Sequence, residues 1–178
     1  MATFSKSEIQ SGLKRLGELA EQNGFSIQLI LVGGAAMVLG FDARQSTRDV
    51  DAIILSPEEA RMVRQLASQV AEEYGWPDDW LNDGAKGYMV GLTQGPSLFH
   101  SPGIIATAPS LPQLLAMKLC AWRDDIDITD ARRLLEVVGT GRKSVDVWKE
   151  TEPYLVPGDE LTAQYAFMDL WESLYGID

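Results

Sequence analysis

Residues 31–55 read LVGGAAMVLGFDARQSTRDVDAIIL. An apolar run enters Gly33-Gly34, and a short apolar segment, Ala35 to Leu39, follows up to Gly40. This is the pattern of a strand turning into a helix. Glycine there lets a ligand approach the backbone closely, and a helix start offers unpaired N–H groups and a positive dipole end to a phosphate. With fourteen residues between Gly34 and Asp49, Asp49 and Asp51 sit in an Ile/Val-rich run, Thr47 to Leu55, that reads as a second strand. Charges are disfavoured in such a run unless something pairs them. At i and i+2 they share a strand face, roughly 7 Å apart. Such a pair suits one or two magnesium ions through oxygen ligation.

The flanking segments set this core in a mixed α/β (α+β) domain. Ser5 and Glu8 have capping-box spacing, and Ile9, Leu13, Leu16 and Ala20 fall on one face, so Ser5 to Gln22 reads as a helix stopped at Asn23-Gly24. Ser26 to Val32 reads as the strand that leads into the glycines. Ser56-Pro57-Glu58-Glu59 predicts a helix start. Val63, Leu66, Ala67, Val70, Ala71 and Tyr74 continue it to Gly75.

Residues 75–102 are rich in Gly, Pro, Asp and Asn. They read as loops with short strands at Tyr88 to Leu92 and Ser97 to His100; Gly103 to Thr107 is another strand. Ser110-x-x-Gln113 with Pro112 starts a helix through about Arg123, and Asp127-x-x-Asp130 starts one through Val138. Val145 to Lys149 and Leu161 to Tyr175 complete the helices. The expected organisation is one domain over 1–178, with an α/β core in 1–110 and a helical half in 111–178.

Composition narrows the chemistry. With 178 residues and 46% apolar content, a single core needs no staple. One cysteine, Cys120, excludes a disulfide framework and a cysteine-built zinc site; one histidine, His100, leaves no histidine cluster. No apolar run is long enough to span a bilayer, and the start is not a secretory signal, so a cytoplasmic protein with no membrane partner is expected. The net charge is -11, and residues 144–178 contribute -7 of it. Such a balance speaks against free nucleic acid as a bulk partner, while the near-neutral middle of the chain leaves room for a local anion site.

Gly33-Gly34 followed by Arg44-x-x-Thr47-x-Asp49-x-Asp51 resembles the nucleotidyltransferases of the DNA polymerase β-like superfamily. More narrowly, the chain looks like the small bacterial members related to abortive-infection and toxin–antitoxin toxins. The spacing departs from theirs by one residue between Arg44 and Thr47. Trp80-Leu81-Asn82-Asp83 is similar to a segment of that group. So is Leu114-Leu115-Ala116-Met117-Lys118-Leu119 with Arg123 and Asp127-x-x-Asp130. The resemblance touches residues 29–135.

It implies a nucleotidyltransferase-like mixed sheet flanked by helices, and transfer of a nucleotidyl group from a nucleoside triphosphate to a hydroxyl acceptor. The acceptor would be a tRNA 3′ end or other RNA, a protein side chain, or a small molecule. A cognate antitoxin protein is an implied partner. Carried over, Asp49 and Asp51 are catalytic metal ligands for Mg2+, with Mn2+ as a substitute. Gly33 and Gly34 meet the phosphates. Lys118 is catalytic and faces the phosphates, Asp127 sits near the site, and Arg44 and Thr47 brace the aspartate strand or touch the triphosphate.

Larger members add a third acid on a later strand, and Gly103 to Thr107 carries none. A non-catalytic nucleotide- or partner-binding protein is therefore the alternative.

Other readings of the same residues stay open. Arg48 pairs readily with the aspartates. Lys118, between Leu115 and Leu119, is as well placed to snorkel from an apolar helix. Asp127 makes a good helix cap, and Asp130 falls at the third helical position, where an acid is favoured. Cys120 and the tryptophans default to core. A phosphatase or a glycosyltransferase built on the D-x-D pattern fits poorly, the first by the residues after Asp51 and the second by chain length.

Overall fold

The computed structural model describes residues 3–122 and 125–177. The chain divides into two compact units. One runs from the N-terminus to Lys86 and takes in Gln94–Ala108; the other comprises Gly87–Thr93 and the chain from Pro109 onward.

The first unit is an α/β layer. Strand β1 (Phe4–Ser5) precedes α1 (Lys6–Gln22); then come β2 (Ile27–Leu31), α2 (Gly33–Gly40), β3 (Ser46–Thr47), β4 (Val50–Ser56), α3 (Ala60–Tyr74), β5 (Leu81–Asn82), β6 (Ser97–Ser101) and β7 (Ile104–Thr107). The main sheet has the order β5-β4-β2-β7-β6, and β1 pairs with β3 in a second, two-stranded sheet. β2 lies antiparallel to β4 and parallel to β7. Ile27, Leu29, Leu31, Val50, Ala52, Ile104 and Ala106 line one sheet face. They form one core with Ile9, Leu13 and Leu16 of α1 and Val63, Leu66 and Val70 of α3. That is the apolar stripe of each helix and the alternate residues of each strand, buried together.

Two details fix how the helices sit. The Ser5–Glu8 capping box forms as expected. Gly17 lets α1 come down on β7: a Cβ there would stand 2.5 Å from the Pro102 carbonyl and 2.6 Å from Ile104. Arg15 then ties α1 to α3 through two bonds to Glu73, at 2.6 and 3.0 Å.

The second unit is helical: α4 (Leu111–Ala121), α5 (Asp125–Gly139), α6 (Ser144–Thr151) and α7 (Glu160–Tyr175). Leu114, Leu115, Leu119, Leu134, Leu135, Val147, Phe167 and Trp171 are buried. Ser110 caps α4 through the Gln113 N–H, but the Gln113 side chain does not turn back to complete a box. It is fully buried, donates to the carbonyls of Val90 and Gly91, and accepts from Thr93.

Several sequence expectations need correction. Thr47 to Leu55 is not one strand: Thr47 pairs with Phe4 while Val50 onward pairs elsewhere, so the chain bends at Arg48-Asp49. Ser56 does not cap α3, because it is still in the β4 ladder opposite Gln28, and the helix begins at Ala60. Tyr88 to Leu92 is not a strand. Tyr88 closes a 3₁₀ turn, Gly84–Tyr88, and the next carbonyls are taken by Gln113. Strand β5 lies where a loop was expected. Helix α5 begins two residues before Asp127, so Asp127 lies in the first turn and is not the cap. Arg123 lies outside the described residues.

The Arg15 guanidinium, chiefly by its hydrogen bond, holds the Glu73 carboxyl below its ordinary range. A carboxylate whose folded-state pKa is depressed adds stability above the unfolded pKa and loses it as pH falls through the folded one. Urea unfolding of Glu73→Gln should show a deficit against the native chain at pH 7. That deficit should shrink below about pH 4 and vanish once Glu73 is protonated in both states.

Candidate functional site

The register of β2 on β4 assembles the candidate site. Leu31 lies opposite Ala52, and the Val32 N–H donates to the Asp51 carbonyl at 3.0 Å. The turn into α2 is therefore delivered beside Asp51. Gly33 has φ +58°, in the left-handed region that glycine adopts without strain. A Cβ at Gly33 would lie 2.9 Å from Asp51 Oδ2. The carboxylate thus packs directly on the first residue of a helix whose N-cap, Val32, supplies no side-chain acceptor.

Gly34 has the same role toward a second group of residues. A Cβ there would collide with the Thr47 side chain and stand 3.2 Å from Arg44 Nη1. Thr47 is buried and held by its pairing with Phe4, so it has little freedom to retreat. Gly33, Gly34, Arg44, Thr47 and Asp51 are thereby brought into one small patch. Arg48, by contrast, is exposed.

Asp49 joins the patch through a residue that sequence reasoning quoted but did not select. In the parallel pairing of β4 with β5, Asn82 stands beside Asp51. Its Nδ2 donates to Asp49 Oδ2 at 3.3 Å, and its Oδ1 accepts the Gly84 N–H at 2.9 Å. Asn82 thus sits between the two aspartates and orients one of them. The signal for it was the short apolar-polar run Trp80-Leu81-Asn82 between turn residues, too short for strand periodicity to declare itself. Its neighbour Asp83 faces Lys86 at 3.0 Å and Arg64 at 2.7 Å. Those two cations, Lys86 first, hold the Asp83 carboxyl below its ordinary range. Asp83 is committed to them.

Asp49 and Asp51 are the carboxylates of this patch, and both are half-buried. Among the described residues, no group of three or more His, Cys, Asp or Glu side chains is disposed to hold a metal ion. A cation here would take two protein carboxylates and fill its remaining positions with water or phosphate oxygens. That donor set fits Mg2+, which keeps several waters and binds through one or two carboxylates plus substrate phosphates.

Lys118 and Asp127 belong to the second unit. Lys118 is buried, with Nζ 3.2 Å from Asp127 Oδ1 and 2.7 Å from Asp130 Oδ2. Asp130 is 1% exposed. The ammonium joins α4 to the first turn and a half of α5. His100 is exposed on β6, across from Ile105. Cys120 is half-buried and accepts the Val156 N–H; burial pushes its thiol up. Trp80 is core, its Nε1–H given to the Ala67 carbonyl at 2.9 Å.

Two substitutions probe these arrangements by stability. Gly34→Ala should cost about 1–3 kcal/mol, the usual penalty for overpacking. Lys118→Met should cost about 3–5 kcal/mol, because it removes a buried ammonium from its ion pairs with Asp127 and the buried Asp130. Urea unfolding monitored by circular dichroism reads both, and a Lys118→Met protein as stable as the native chain would remove the ammonium from the fold's essential contacts.

No curated protein and no solved structure matches the chain. Residues 11–95 match the model of a family described as a nucleotidyltransferase of unknown function (DUF6036). The match covers a little under half of the chain. It includes Gly33, Gly34, Arg44, Thr47, Asp49, Asp51 and Asn82, and stops short of Lys118. It supports a nucleotidyltransferase-like family for this chain, in keeping with the mixed α/β architecture of the first unit.

Proposed function

We propose that the protein transfers a nucleotidyl group from a nucleoside triphosphate to a hydroxyl acceptor, at the patch built by Gly33, Gly34, Asp49 and Asp51. The observation that carries the reading is the packing of the Asp51 carboxylate on the first residue of α2. In this reading Asp51 binds the cation and the adjoining helix start binds phosphate, and a metal–triphosphate complex requires both at once.

In this reading Asp49 and Asp51 hold the divalent cation, Mg2+ or Mn2+. When bound, it supplies charge neutralisation at the phosphates. The N–H groups at the start of α2 and the Arg44 guanidinium orient the triphosphate. Thr47 holds Arg44 and Gly34 in place, and Asn82 keeps Asp49 turned toward the site. The acceptor oxygen bonds the α-phosphorus, the bond to the β-phosphate oxygen breaks, pyrophosphate leaves, and the hydroxyl proton passes to solvent. The protein's contribution is positioning and electrostatics, with no covalent intermediate.

Lys118 and Asp127 enter this proposal through the resemblance alone, as a phosphate contact and its neighbour. An RNA end such as a tRNA 3′ end, or a protein side chain, is the acceptor class the resemblance favours. A toxin with a cognate antitoxin, acting in the cytoplasm, is the corresponding role. No helix of the described residues is long and apolar enough to cross a membrane.

One observation favours a second reading. The strand beside Asp51 presents an amide, Asn82, and no third acid. The protein would then bind nucleotide without transferring it.

Pyrophosphate release separates the two. Each nucleoside triphosphate is supplied with Mg2+ and a cell extract as the acceptor source. The native chain should release pyrophosphate, and Asp49→Ala/Asp51→Ala should reduce the rate at least about 100-fold, in line with loss of a preorganised electrostatic contact. Nucleotide binding without release would establish the second reading.

A further inference from the structure

Helix α7 is apolar on two sides. Ala163, Ala166, Phe167, Leu170 and Trp171 are buried in the second unit. Leu161, Tyr165 and Met168 lie on the outer side and are 64%, 62% and 56% exposed. Their spacing is i, i+4, i+7, the repeat by which one helix seats on another.

A groove of ≈ 320 Å³ runs beside this row, lined by Val145 and Trp148 of α6 and by Met168, Trp171, Glu172 and Ile177. Its floor is aromatic: Trp148 meets Phe167 at 5.2 Å, and Phe167 stacks on Trp171 at 5.7 Å. Val145 and Ile177 are themselves exposed. A contiguous apolar surface rimmed by polar groups is the signature of an interaction site.

Charge selects the occupant. Residues 144–178 hold eight acids and one lysine. Asp169 and Glu172 of α7 are exposed beside the apolar row, and on the same helix Ser173 Oγ is bonded by Arg132 of α5 at 3.1 Å. A second copy of the chain docked here would set this acidic rim against itself, which is unfavourable. A helix with an apolar seam and Lys or Arg flanks meets both features.

We propose that α7 and the groove beside it dock an amphipathic helix of a basic partner protein, its apolar anchors laid along Leu161, Tyr165 and Met168 and its cations against Asp169 and Glu172.

The test uses the full chain and two fluorescent peptides of about 20 residues. They share one apolar seam at i, i+4, i+7; one has Lys/Arg flanks and the other Glu flanks. Anisotropy should report binding of the basic peptide at least about tenfold tighter than the acidic one, weakening as salt screens the rim. Met168→Glu should weaken it by about tenfold or more, with an unchanged circular dichroism melt because the side chain is exposed. Equal binding of both peptides, or of neither, overturns the proposal. So does a dimer in sedimentation velocity that Met168→Glu dissolves, since that would make a second copy the occupant.

Discussion

The structure depends on one close approach. Antiparallel pairing of β2 with β4 places Val32 across from Asp51, so the chain leaves the sheet at Gly33 directly against an acidic side chain. Any side chain at Gly33 would displace that carboxylate and would also be strained at φ +58°. Gly34 imposes the same limit with respect to Thr47 and Arg44. Beyond the two glycines α2 enters the core, where Ala35, Val38 and Leu39 pack in the same cluster as Ile27, Leu29 and Leu31. Two positions without side chains set the start of α2 against the Asp51 carboxylate and beside Thr47 and Arg44.

The second unit uses charge in another way. One ammonium, Lys118, serves two carboxylates in a buried setting. Buried ion clusters are rarely the most stable solution, because desolvation offsets the attraction. They do fix geometry, because the alternatives leave a buried charge unpaired. Here the cluster fixes the start of α5 against α4, and the fully satisfied amide of Gln113 fixes residues 90–93 against the start of α4.

Much of this was legible in the sequence where the physics is local. The Ser5–Glu8 box, the stripes of α1 and α3 and the Gly33-Gly34 turn follow from spacing and propensity, and the structure has each of them. The expectations that failed were non-local. The break at Arg48-Asp49 arises because Thr47 and Val50 pair with different strands. The start of α3 shifted because Ser56 was claimed by β2. β5 is a two-residue strand with no period to read, and Asn82 came into view only through its pairing beside Asp51. Gly103 to Thr107, which carries no acid, contains β7, separated from β4 by β2; β5 is the neighbour of β4 on its other side and carries the amide.

The claim that Asp49 and Asp51 form a cation site completed by phosphate oxygens is tested most directly by manganese binding. Electron paramagnetic resonance would follow free Mn2+ with the native chain and with Asp51→Asn, each with and without a nucleoside triphosphate. The native chain alone should bind weakly, binding should tighten markedly when the triphosphate is present, and that tightening should be lost in Asp51→Asn. Manganese uptake in the presence of the triphosphate that is identical in the native chain and in Asp51→Asn would contradict it.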